Sequence, residues 1–225
     1  MIEVRGLHHL GLTVTDRTAS CSWARAAGYG EPVLLSLAGA DPAVGNGLPE
    51  ASLEVAFVSA PGLTLELVQF DPPAGSTVGP GDRAFGAVPV WAAAAADHDP
   101  EGRPGVPGND PLPLRLTSAD VDSTSRLLGV LGFATAGPLG ASGATVVGHG
   151  ARVEIAAVDG GRPVPANKPG RVHLGLEVAD LGAATVELAA HGYGLVSSPR
   201  VHGDLSWVFV AHPEGPGIEL IATGA

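Results

Sequence analysis

Two stretches of this chain, residues 7–16 and 171–180, lie near opposite ends and share one pattern, His-Leu-Gly-Leu-x-Val-x-Asp. Side chains that alternate in this way are typical of a β-strand. Each stretch ends in an aspartate, a residue preferred at helix N-caps. Each copy therefore predicts a strand that leads directly into a helix.

Each copy is followed downstream by a short apolar strand that contains one glutamate. Glu66 lies within Leu63–Val68, and Glu219 lies within Gly217–Ile221. A carboxylate in the middle of such a strand needs a partner, because an unpaired buried charge is costly. The copies also supply one histidine each, so a metal site is the simplest partner common to all four residues.

The elements around these motifs predict an α+β protein built from repeated β-α-β-β-β modules. We assign residues 1–72 to a first module, 112–160 to a module without the histidine, and 170–225 to the last module. Residues 73–111 are predicted to be a linker with a truncated module. Its segment Val88–Asp97 is compatible with an opening strand or with a helical turn. In the module 112–160, Pro113 replaces the histidine and Glu154 keeps the glutamate position.

The motifs at 8–16, 173–180 and 212–220 resemble those of the vicinal oxygen chelate superfamily. That superfamily includes glyoxalase I, methylmalonyl-CoA epimerase, extradiol dioxygenases and bleomycin resistance proteins. The resemblance implies βαβββ modules paired into half-open β-cups. It also implies four metal ligands, which fall on His9, Glu66, His173 and Glu219.

These four ligands can meet in one site only if the first module pairs with the last, either within the chain or across a homodimer. Pairing of the two adjacent modules at 112–160 and 170–225 would instead gather Glu154, His173 and Glu219. Two imidazoles and two carboxylates suit Zn, Mn, Co, Ni or Fe as divalent ions. We predict nitrogen atoms of His9 and His173 roughly 3 Å apart, as two ligands of one ion require.

The resemblance implies a small-molecule substrate that chelates the metal through two neighbouring oxygens. The leading hypothesis is an isomerase, epimerase or lyase, because the Glu66 position is filled. The first alternative is a non-haem Fe(II) dioxygenase, which would use two histidines and one glutamate. The second is a metal-free protein that binds a drug, against which the aromatic content of 4% argues.

Side-chain roles follow from strand alternation. The predicted catalytic residues are Glu66, Glu219 and Glu177, and the predicted substrate-binding residues are Thr13, His202 and Trp207. An ordinary salt bridge is an equal alternative for Glu177. His8 is predicted to point to the opposite face from His9 and to be structural.

Composition restricts the partners. The formal net charge is −11 and Lys168 is the single lysine, which argues against nucleic acid and anionic membranes as partners. No apolar run reaches the roughly 20 residues of a membrane helix. Cys21 is the single cysteine, which excludes an intrachain disulfide. We therefore expect a cytoplasmic protein.

Overall fold

The computed structural model describes residues 2–75, 78, 88–90, 100, 105–107, 112–139, 143–160, 163–213 and 217–224. Four helices are present in these ranges: α1 (Arg17–Ala26), α2 (Ala40–Gly45), α3 (Val121–Val130) and α4 (Leu181–Ala190). The strands of the first half are β1 (Val4–Val14), β2 (Val33–Gly39), β3 (Ser52–Ala60), β4 (Leu63–Asp71), β5 (Val88–Val90) and β6 (Gly105–Pro107). The later strands are β7 (Leu112–Ser118), β8 (Ala134–Leu139), β9 (Gly143–Gly148), β10 (Ala151–Ala157), β11 (Val172–Val178), β12 (Gly194–Leu195), β13 (Arg200–His202), β14 (Leu205–Ala211) and β15 (Ile218–Thr223).

The order β-α-β-β-β recurs in three places, and the α+β class predicted from the sequence is confirmed. It is seen in β1 to β4, in β7 to β10 and in β11 to β15. The first of these also contains α2, between β2 and β3. In the last, the predicted second strand at 195–202 is instead divided into the short strands β12 and β13, with a bend at residues 196–198 between them.

The first and last modules form one nine-stranded sheet, whose order is β12-β14-β15-β11-β1-β4-β3-β2, with β13 paired to β14. The module between them forms a separate sheet, β7-β10-β9-β8. In both sheets the first strand of a module lies beside its fourth. The central pair, β1 and β11, is antiparallel and joins the two modules. This confirms that the first module pairs with the last, and it shows that the pairing occurs within one chain.

An aspartate caps each of the three long helices, as the repeated motif predicts. The side chains of Asp16, Asp120 and Asp180 accept hydrogen bonds from backbone N–H groups three residues ahead, at 2.9, 2.8 and 2.9 Å. Each bond satisfies a donor that the helix itself leaves free. The cap fixes where the chain leaves the opening strand and turns into the helix.

The apolar residues form two buried clusters. The larger one packs the helices against the sheets and includes Leu10, Leu65, Leu174 and Leu220, all of which are fully buried. The smaller one lies inside the curve of the nine-stranded sheet, where the side chains of β3, β4, β14 and β15 face one another. The inside of the cup is therefore a second apolar environment, distinct from the core beneath the helices.

Part of the sequence analysis falls on undescribed residues. Of the predicted opening strand Val88–Asp97, the structure describes only β5, and most of the linker at 73–111 lies outside the described ranges. Among the described residues, no helix is long and apolar enough to cross a membrane.

Candidate metal centre

Four adjacent strands at the centre of the large sheet each contribute one buried polar side chain to the inside of the cup. These strands, in the order β15, β11, β1 and β4, carry Glu219, His173, His9 and Glu66. All four side chains are buried, and the exposed fractions of the residues are 5%, 4%, 1% and 9%. Parallel pairing within each module places Glu66 beside Gly11 and Glu219 beside Gly175.

The four side chains converge on one point. His9 Nε2 lies 3.1 Å from His173 Nε2, which confirms the predicted separation. Glu66 Oε2 lies 3.3 Å from His9 Nε2 and 3.1 Å from His173 Nε2. Glu219 Oε2 lies 3.2 and 3.4 Å from the same two nitrogens. Glu154, on the separate sheet, instead lies 3.7 Å from Arg152.

The glycine of each motif makes this convergence sterically possible. Gly11 pairs with His173, and Gly175 pairs with His9, across the β1 and β11 ladder. A Cβ atom added to Gly11 would lie 1.8 Å from His173 Cε1, and one added to Gly175 would lie 2.5 Å from His9 Cε1. The glycine of one copy therefore provides the space for the imidazole of the other copy.

A phenylalanine packs against each imidazole. The Phe57 ring lies edge to face with His9 at a centroid distance of 5.5 Å, and the Phe209 ring lies in the same way against His173 at 5.0 Å. Both phenylalanines pair with a glutamate of the site, Phe57 with Glu66 and Phe209 with Glu219. The sequence analysis missed these supports, although each occupies the equivalent position of its module.

The charges of the metal-free site are coupled. Burial alone would lower the pKa of His9, but the two glutamates outweigh it and raise that pKa to about 10. Burial would likewise raise the pKa of Glu66, but His9 and His173 hold it well below its ordinary value. In this state the site therefore holds a proton on His9 beside an ionised Glu66.

Burial and distance indicate that these atoms fit a divalent ion. Glu219 Oε2 is buried without a hydrogen-bond partner of good geometry, although both Nε2 atoms lie near it. One ligand atom from each of the four residues lies within 4.8 Å of all the others. Ligands about 2.1 Å from one ion lie about 3.0 Å apart in an octahedron and about 3.4 Å apart in a tetrahedron, which matches the measured contacts.

The structure corrects the prediction for His8. The β1 and β11 ladder pairs Leu7 with Leu176 and His9 with Gly175, so β1 contains one extra residue at this point. This bulge breaks the alternation of side chains. His8 therefore lines the same cavity as His9, and their Nδ1 atoms lie 2.9 Å apart. Burial, followed by the charge of His9, lowers the pKa of His8.

A cavity of about 450 Å³, measured out to its mouth, opens onto the four residues. Its walls are apolar and come from alternate positions of the cup strands. Three aromatic side chains line it, Phe57, Trp207 and Phe209, although aromatic residues are only 4% of the chain. The low aromatic content therefore does not argue against an aromatic ligand, because these residues are concentrated here.

The other predicted site residues occupy different surroundings. Trp207 is buried and lines the cavity. Thr13 donates to the Ala166 carbonyl at 2.8 Å, and Glu177 accepts from Thr223 at 3.2 Å and lies 3.5 Å from Arg5. Thr13 and Glu177 each follow a histidine of the site by four residues, which displaces them along the strand by about 13 Å.

His202, the remaining predicted site residue, is exposed at the end of β13. It pairs with Leu205 across the turn into β14.

Comparison with solved structures identifies the fold. The chain is similar to two single-residue variants of glyoxalase I from Zea mays, with TM-scores of 0.58 and 0.55 at 14% identity. The first comparison covers 96% of this chain and 92% of that protein, and the second covers 96% and 93%. Methylmalonyl-CoA epimerase from Mycobacterium tuberculosis has a TM-score of 0.42 at 14% identity, over 100% of this chain and 92% of that protein.

The sequence itself matches no protein-family model and no curated protein. The fold expected from the resemblance to the vicinal oxygen chelate superfamily is confirmed by the comparison with the two glyoxalase I structures.

Proposed function

We propose, starting from the glyoxalase I fold, that this protein is a metal-dependent isomerase, epimerase or lyase. Its substrate is a small molecule that presents two neighbouring oxygens to the site. The observation that carries the proposal is the inward position of Glu66, whose Oε2 lies within 3.3 Å of both imidazole Nε2 atoms. This position supports a site with four protein ligands, His9, Glu66, His173 and Glu219.

In this proposal the carboxylates of the chain transfer the proton. Two carboxylates balance the charge of a divalent ion, and the bound ion supplies a Lewis acid for charge that develops on a substrate oxygen. Glu66, which is ionised in the metal-free site, accepts a proton from the substrate carbon beside a carbonyl. Phe57 and Phe209 exclude water from the two imidazoles, which strengthens electrostatic interactions in the cup.

The inward position of Glu66 also distinguishes the proposal from the dioxygenase alternative. That chemistry uses a face of two histidines and one carboxylate, for which Glu66 would have to turn away. The close approach of Glu66 to both imidazoles instead supports the proton-transfer class.

The first test is metal content. We expect about one divalent ion per chain in protein supplied with Mn, Ni, Co, Zn or Fe, measured by elemental analysis. His173→Ala should lose that ion, because it removes a nitrogen from the centre of the site. A wild-type protein that takes up none of these ions would show that the enzyme proposal is wrong.

The second test is proton transfer. We expect the loaded protein to catalyse exchange of solvent deuterium into a 2-hydroxyketone, followed by NMR. Glu66→Gln should slow exchange by about 100-fold or more, as loss of a general base does. Glu154→Gln is the matched control, because Glu154 occupies the same place in the module that lacks the histidine. Full exchange in Glu66→Gln, or stoichiometric oxygen uptake by the wild type, would favour the dioxygenase.

A further inference from the structure

The walls of the cavity are built from matching pairs of positions in the first and last modules. Alternate residues of β3 and β14 face inward, and Phe57 and Phe209 stand nearest the imidazoles. One step further from the site, Val55 pairs with Val68 in the first module, and Trp207 pairs with Ile221 in the last. All of these side chains line the cavity, so its two walls are apolar along their length.

The two walls differ at one pair of matching positions. Where the first module has Val55, the last module has Trp207, which is 6% exposed. A large flat ring therefore faces a small aliphatic side chain across the cavity. This arrangement leaves the space on the Val55 side and provides an aromatic surface on the other side, against which a planar group can stack.

The polar groups of the cavity are few. Besides the four residues of the metal centre, the described lining contains the polar side chains of His8 and Asn46 only. Asn46 Nδ2 is already engaged with the Pro42 carbonyl, at 3.2 Å. Arg200 is not among the described lining residues, but it pairs with Trp207 across the β13 and β14 ladder, so a cationic side chain lies beside that wall. The lining itself offers a substrate mainly apolar contacts.

We infer that the substrates of this site are compounds in which the two neighbouring oxygens are attached directly to an aromatic ring or a branched alkyl group. The inference rests on the proposed metal-dependent function and specifies its substrate class. The chelating oxygens lie at the metal centre, and the apolar group lies between Trp207 and Val55.

Hydroxamic acids test this inference, because they chelate divalent ions through two neighbouring oxygens and tolerate changes elsewhere. Acetohydroxamic acid provides the chelating group with a methyl group. Benzohydroxamic acid replaces the methyl with a phenyl ring. The dissociation constants of both compounds are measured by calorimetry on the Zn-loaded full chain.

We expect benzohydroxamic acid to bind at least about tenfold more tightly than acetohydroxamic acid, because the ring buries additional apolar surface. Equal affinities for the methyl and phenyl compounds, or tighter binding of the methyl compound, would overturn the inference.

Variants of Trp207 locate the effect. Trp207→Ala should remove most of the preference for the phenyl compound, and elemental analysis shows whether the variant keeps its Zn. Trp207→Phe should restore the preference. Val201→Ala, at an exposed position of β13, is the control and should bind both compounds as the wild type does. An unchanged preference in Trp207→Ala would contradict the assignment of this wall.

The outcomes separate this inference from the proposed function. If the Zn-loaded protein binds acetohydroxamic acid but shows no preference for the phenyl compound, the chelating site stands and the substrate class is wrong. If the protein takes up no Zn, or if the loaded protein binds neither compound, the proposed chelating site is wrong and the substrate class is wrong with it.

Discussion

The substitution Gly11→Ala tests the steric basis of the candidate metal centre. An added Cβ would lie 1.8, 2.1 and 2.3 Å from His173 Cε1, Nε2 and Nδ1. Carbon atoms in favourable contact are about 3.5 Å or more apart, so the imidazole would have to move by about 1.7 Å. Binding sites lose function when their groups are displaced by more than about 0.5 Å. His173 Nε2 can therefore no longer bind the ion together with His9.

We expect Gly11→Ala to weaken Zn binding by more than about 100-fold. This is more than the loss seen when a residue that only hydrogen-bonds to a metal ligand is removed, because here a ligand itself is displaced. The free energy of unfolding of the metal-free protein should also fall by about 1–3 kcal/mol, as for other overpacked buried positions. Chelator competition measures the first quantity and urea denaturation measures the second.

Two glycines of the same strand pair provide matched comparisons. Gly6→Ala places a Cβ in β1 with no atom within 4 Å, so metal affinity and stability should stay close to those of the wild type. Gly175→Ala places one 2.5 Å from His9 Cε1, so its effect should be smaller than that of Gly11→Ala. Wild-type Zn affinity in Gly11→Ala, or equal losses in Gly6→Ala and Gly11→Ala, would refute the steric explanation.

Three further predictions concern protons and hydrogen bonds at the centre. A metal ion can bind His9 Nε2 only after that nitrogen has lost its proton, and the pKa of His9 in the metal-free protein is about 10. Metal affinity should therefore rise about tenfold per pH unit between pH 7 and 9, and calorimetry should detect about one proton released per ion. The raised pKa of His9 stabilises the metal-free protein fully below about pH 6.5, and this stabilisation is lost toward pH 10. The lowered pKa of Glu66 stabilises it above about pH 4.5, and this part is lost as the pH falls below that value. Urea denaturation without metal should therefore show the largest combined contribution to the free energy of unfolding between about pH 4.5 and 6.5. His8→Val should weaken Zn binding by about 10- to 100-fold, because His9 Nδ1 loses its hydrogen-bond partner at 2.9 Å. His8→Asn keeps an acceptor at this place and should bind Zn more tightly than His8→Val. Equal Zn affinities of the two variants would contradict a role for this hydrogen bond.

Local patterns in the sequence were sufficient to predict much of the fold. The alternation in residues 7–16 and 171–180 predicted β1 and β11, since the leucines of each strand face the core and the histidine faces the cup. Asp16 and Asp180 marked the starts of α1 and α4, because capping depends on atoms within one helical turn. These features are local, so neighbouring residues determine them.

The candidate ligands were also predictable, because each one is a polar residue at a fixed place in a repeated apolar pattern. His9 and His173 occupy the same place in the two copies, and Glu66 and Glu219 lie opposite the two phenylalanines. A buried carboxylate needs a partner whatever the fold, so the sequence indicated that these residues meet.

Other features depend on contacts between strands that are remote in sequence, and only the tertiary structure decided these. The bulge that turns His8 into the cavity arises from the register of β1 on β11, which the alternation within β1 does not reveal. Thr13 and Glu177 share a strand face with the histidines but lie beyond the cavity, because alternation specifies the face and not the distance along the strand. The role of Gly11 depends on His173, which reaches it only when the first and last modules pair. The sequence determined which residues are polar and on which face each strand places them, and the antiparallel joining of β1 and β11 determined which of them form one site.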